Sequence, residues 1–198
     1  MSYTEYENLN WHPFPLPLPS DAGQCQWQGG FVGCGPQTAA ILLGWWAGQL
    51  GRRLPDRDRD ALAARLAPEL GAWLVPFSGR QRAVQPWTWL RGLNRALVAG
   101  ELPLRARGHW GYRPDTGARL AHNWERGWPT VGFEFTPQVQ HYGLLSAYAQ
   151  APQGLQGRLV APLVGRPALN LQPRLGLGGV FWLEPREAPD LLGPQHHS

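Results

Sequence analysis

The stretch on which the reading of this chain turns is Gln28-Gly29-Gly30-Phe31-Val32-Gly33-Cys34-Gly35-Pro36-Gln37-Thr38-Ala39-Ala40. Pro36 suits the first turn of a helix, where its missing N–H is no loss. The run continues through Ile41-Leu42-Leu43-Gly44-Trp45-Trp46 to about Gly48 or Leu50. It is apolar nearly all round, which predicts a buried central helix. Cys34 falls just ahead of the first turn. Unpaired amides and the positive end of the helix dipole favour a thiolate there, and a lowered thiol pKa makes a nucleophile. Gly33 and Gly35 allow a sharp turn and the close approach of a substrate carbonyl. A free cysteine is equally at home as a small buried hydrophobe, so position alone leaves both readings open.

Working outward, residues 1–23 alternate Pro13, Pro15, Pro17 and Pro19 with Phe14, Leu16 and Leu18, an extended lead-in expected to lie along the body. Pro55 opens a second predicted helix, with Leu62, Leu66 and Leu70 on one face and Gly71 after it. A third spans about Trp87 to Ala99, with a stripe of Leu90, Leu93, Leu97 and Val98 and a stop at Gly100. The period then changes. Residues 130–135 and 140–148 read as two strands of a hairpin joined by 136–139, and short strands are expected at 159–164, 168–171 and 179–183. Helices followed by strands, without alternation, predict an α+β fold with an antiparallel sheet. No internal repeat or linker interrupts residues 24–198, so these are read as one domain.

Composition closes several classes. All 18 basic residues among the 198 are Arg. Without Lys there is no Schiff base for pyridoxal phosphate and no phosphate-gripping lysine of a P-loop or kinase. Two cysteines without C-x-x-C exclude a four-thiolate zinc site and a disulfide framework. No cofactor or metal is expected. The net charge of +4 is spread along the chain. Its one dense run, Arg52, Arg53, Arg57 and Arg59, is interleaved with Asp56, Asp58 and Asp60, which reads as a solvated helix entrance and not as a nucleic-acid surface. The acidic first ten residues do not read as a secretory signal, and the ten-residue apolar run 39–48 is too short to span a bilayer. A cytoplasmic protein with reduced thiols, binding neither nucleic acid nor membrane, is the expectation.

A thiolate nucleophile needs an imidazole. His141 lies in the second strand of the hairpin, and Gly143 on the same face predicts space beside it; a hydrogen-bonded structural histidine is the plain alternative. His12, His109 and His122 read as loop residues, and His196 and His197 belong to the C-terminal tail.

Taken together, Gln28, then Gly33-Cys34-Gly35-Pro36 opening a helix with Trp45-Trp46, then Gly127-Trp128-Pro129-Thr130-Val131 and His141-Tyr142, resemble the papain-like cysteine peptidases, and within them the peptidase C39-like branch. The matching segments cover about a fifth of the chain, in the family's order and spacing. The resemblance implies a papain-like fold, with a helical half carrying the nucleophile and a sheet half carrying the base, and residues 51–126 supplying aromatic packing from Trp73, Trp87, Trp89, Trp110 and Trp124. It implies Cys34 as nucleophile, His141 as base, and Gln28 as side-chain oxyanion donor beside the Cys34 N–H, with Gln24 and Gln26 as competitors for Gln28. The family's third residue is an Asp or Asn after the His. Residues 149–169 contain neither, so Asn170 is the expected partner of the imidazole and Asp190 the fallback. Cys25 has no helix behind it and competes poorly with Cys34. The implied activity is a thiol hydrolase, a peptidase or amidase, taking a peptide or amide substrate through a thioester. Acyl transfer at the same site, or a papain-like fold that binds peptide or protein without cleaving it, are the alternatives.

Overall fold

A computed structural model describes residues 6–19, 26–27, 30–54, 58–74, 82–111, 113–137, 139–163 and 166–186. It is a mixed α+β structure whose main sheet is antiparallel throughout. Its longer helices are α1 (Cys34–Gln49), α2 (Arg59–Glu69), α3 (Pro86–Ala99) and α4 (Thr116–Glu125). The strands of the main sheet are β1 (His12–Pro13), β6 (Leu104–Trp110), β7 (Thr130–Phe135), β8 (Gln140–Ala151), β9 (Gly154–Leu163), β10 (Arg166–Asn170) and β11 (Leu177–Pro185), in the order β10-β9-β8-β7-β11-β6 with β1 added to β8. Two short ribbons stand apart: β2 (Gln26–Trp27) with β3 (Gly30–Phe31), and β4 (Trp73–Leu74) with β5 (Arg82–Ala83).

Local chemistry sets the helix boundaries. The Asp58 side chain accepts the Asp60 N–H, which caps α2 at Arg59 and not at the expected Pro55; residues 55–57 lie outside the described set. Pro86, not Trp87, opens α3. Two elements absent from the sequence reading are β6 and α4. Strand β6 sits before the hairpin yet pairs with the last strand, β11, so the order is not simply helices and then strands. His109 is therefore in a strand and His122 in a helix, while His12 stacks on Tyr148 from the short β1, with ring centroids 5.0 Å apart. None of the three is the loop residue expected.

Alternation along β11 divides the molecule. Phe181 and Leu183 face one core with α1, α2 and α3; Val180 and Trp182 face a second core with Phe14, Leu120 of α4, Leu155 and Leu169. The sheet curls around the second core far enough for β10 to touch β7, although two strands lie between them in strand order. Of the tryptophans between the halves, Trp89 and Trp124 are buried, but Trp73 and Trp87 are exposed. Phe14 brings the proline-rich segment into the second core, and its N–H donates to the Ser146 carbonyl.

Two contacts fix the helical layer. A Cβ at Gly92 of α3 would fall 2.1 Å from the Glu69 carbonyl oxygen, so the crossing of α3 over the end of α2 requires glycine. Asn94 of α3 reaches the outer edge of β6. Its Nδ2 donates to the Ala106 carbonyl at 3.0 Å and its Oδ1 accepts the Ala106 N–H at 2.9 Å, the two bonds a further strand would make.

Candidate active site

The site is built on the first turn of α1. Gly33 is its N-cap at φ +88°, a backbone region that favours glycine. The cap contributes no side-chain hydrogen bond and the first turn holds no acid, so the positive end of the dipole is not neutralised locally. Cys34 is the first helical residue and is partly exposed. The Thr38 hydroxyl donates to the Cys34 carbonyl. Trp89 Nε1 donates to the Gly35 carbonyl at 2.9 Å, and the Trp89 ring stacks on Phe181 at 4.7 Å. A buried aromatic platform of Trp89, Phe181, Phe133 and Tyr142 therefore underlies the thiol's turn.

The opposite wall is β8. The Tyr142 N–H donates to Cys34 Sγ at 3.4 Å, while the Tyr142 hydroxyl donates to the Val84 carbonyl at 3.0 Å. Burial, and secondarily the charge of Cys34, push the Tyr142 phenol far up, so it is a neutral donor. Strand β9 pairs with β8 only from Leu145 onward; at Tyr142 the start of α1 occupies the place beside the strand. Cys34 is thus set against the residue that follows His141.

Burial lowers the His141 imidazole from 6.5 to about 4, so it is neutral at neutral pH. The space expected beside it at Gly143 is already filled. A Cβ there would lie 2.6 Å from a methyl of Leu159, so Gly143 serves packing and not substrate access. Across the hairpin His141 pairs with Glu134 of β7, and paired residues share a face. Glu134 is a carboxylate with 3% exposure, held by the Asn170 N–H at 2.7 Å, Arg166 Nη1 at 3.2 Å and the Thr136 hydroxyl at 3.3 Å. It was not among the residues singled out in the sequence, because its importance depends on strand register and on the curl that carries β10 over to β7.

Asn170 is at the end of β10, but its side chain is engaged locally. Oδ1 accepts the Gln172 N–H at 2.9 Å and Nδ2 donates to the Gln153 carbonyl at 3.5 Å. Its link toward the His141 strand pair is through its backbone N–H to Glu134. Gln28, Cys25, Gln24, Asp190, His196 and His197 lie outside the described residues, and Gln26 is described only as backbone in β2. Among the described residues, no group of three or more His, Cys, Asp or Glu side chains is placed to hold a metal ion, and no helix is long and apolar enough to cross a membrane.

No protein-family model matches the chain, and no curated protein or solved structure matches it.

Proposed function

We propose that this chain is a cysteine-dependent hydrolase of papain-like, C39-like architecture that cleaves a peptide or amide. The observation that carries this reading is the Tyr142 N–H on Cys34 Sγ, because Tyr142 directly follows the candidate base, His141. In this mechanism the neutral imidazole takes the thiol proton as Cys34 Sγ bonds to the substrate carbonyl carbon. The Cys34 N–H and the Gln28 side chain donate to the resulting oxyanion. Collapse breaks the C–N bond, and the imidazolium gives its proton to the departing amine. Water then attacks the thioester, His141 takes its proton and returns one to sulfur, and the acid is released. Glu134, paired with His141, orients the ring in preference to Asn170, whose amide is turned to Gln172 and Gln153.

The pH profile of iodoacetamide labelling, read by mass spectrometry at Cys34, tests the reading. Rapid labelling below about pH 7 that slows in His141→Ala is the expected result. Labelling governed by an ordinary thiol pKa near about 8.5 and indifferent to His141 would sink it, leaving a fold that binds without cutting. For the orienting role, Glu134→Gln shifts the labelling profile and Asn170→Ala does not.

A further inference from the structure

The basic run at 52–59 looks balanced in sequence; in the structure two of the interleaved acids are engaged within α2, and the third, Asp56, lies outside the described residues. Asp58 is consumed in capping α2 and Asp60 pairs with Arg59 at 3.2 Å. Among the described residues no carboxylate pairs with Arg52 or Arg53, both exposed. These two guanidiniums stand on the rim of a concavity of about 520 Å³ between α1 and α2. Its floor is the second half of α1, where Ala40, Gly44 and Gly48 present almost no side chain. Trp45, Leu54 and Leu62 form apolar walls. A Cβ built on Gly44 or Gly48 would meet nothing within 4 Å, so the bareness of the floor is not required by packing.

An apolar trough of this volume with a few convergent charged groups has the make-up of a small-molecule site. Its charge complement is an anion, since among the described residues no carboxylate is paired with these arginines and guanidinium binds carboxylate through a fork of N–H donors. We propose that this trough binds an amphipathic carboxylate, its hydrocarbon body lying on Gly44 and Gly48 and its head group on Arg52 and Arg53. The site is separate from Cys34 and does not depend on the hydrolase reading.

Titration calorimetry of the full chain with decanoate below its micellar concentration tests this, with decanol as the uncharged counterpart. Saturable binding of decanoate, at least tenfold weaker for decanol and for the Arg52→Gln/Arg53→Gln double variant, is the expected result. Gly44→Leu fills the floor and abolishes binding while the far-ultraviolet circular dichroism and Tm are retained; Gly48→Leu serves the same purpose if Gly44→Leu does not fold. Absence of saturable decanoate binding, equal affinity for decanol, or undiminished binding by the floor-filling variant would each overturn the proposal.

Discussion

The two ends of α1 are built on opposite plans. At its start every small residue is pressed: a Cβ on Gly35 would lie 3.2 Å from Val84, the Gly35 carbonyl is held by Trp89, and Cys34 is held against Tyr142. Toward its end Gly44 and Gly48 face open space, and the flanking Trp45 is only partly buried. One helix thus offers a rigid end, suited to positioning a reactive atom, and a bare end, suited to receiving something apolar. Glycine serves both ends for different reasons, close approach in one and vacancy in the other.

Removing the platform at the rigid end has the largest expected effect. Trp89→Ala deletes a fully buried indole, its stack on Phe181 and the bond to Gly35, and is expected to cost about 3–5 kcal/mol in urea unfolding. A loss below about 1 kcal/mol would show that the start of α1 is not clamped. Next comes His141. Its folded pKa lies below its unfolded value, so the folded state binds fewer protons between about pH 6.5 and 4 and stability falls as the pH is lowered through that window. His141→Gln removes this contribution, and its stability relative to wild type should rise by about 3 kcal/mol across the same window. A constant difference between the two would mean that the imidazole is solvated.

Thr38→Val keeps the shape of a buried side chain and deletes its bond to the Cys34 carbonyl, for an expected loss of about 1 kcal/mol with altered Cys34 labelling. The smallest effect belongs to the bare end and has the opposite sign. Gly44→Ala adds helix propensity without a clash and should stabilise by about 0.5–1 kcal/mol. Destabilisation there would erase the contrast between the two ends.

That contrast was only half legible in the sequence. Gly35-Pro36 marked where α1 begins, but a helix apolar on every side carries no moment to say which face is covered, so Gly44 and Gly48 passed as buried. The β7–β8 hairpin declared itself by alternation, whereas β6 ends in Gly108-His109-Trp110 and mixes its signals. Helix α4 was obscured because its buried face combines Leu120 and Trp124 with Thr116 and Asn123. At the candidate site, the place of Cys34 at the start of α1 and of His141 in a strand was legible from turn chemistry and strand pattern. Glu134 was not, because its position opposite His141 is a matter of register and its bond to Asn170 a matter of curvature, neither of which is encoded by nearby residues.

Asn94 has a consequence for how copies of this protein meet. The outward N–H and C=O of Ala106 are already taken by its amide, and the Leu104 carbonyl next along that edge accepts Arg186 Nε. An incoming strand would have to displace these partners before forming bonds of its own, so self-assembly by lengthening the sheet is blocked along the first half of β6. Asn94 acts there as a built-in chain terminator, one side chain that ends polymerisation before it starts.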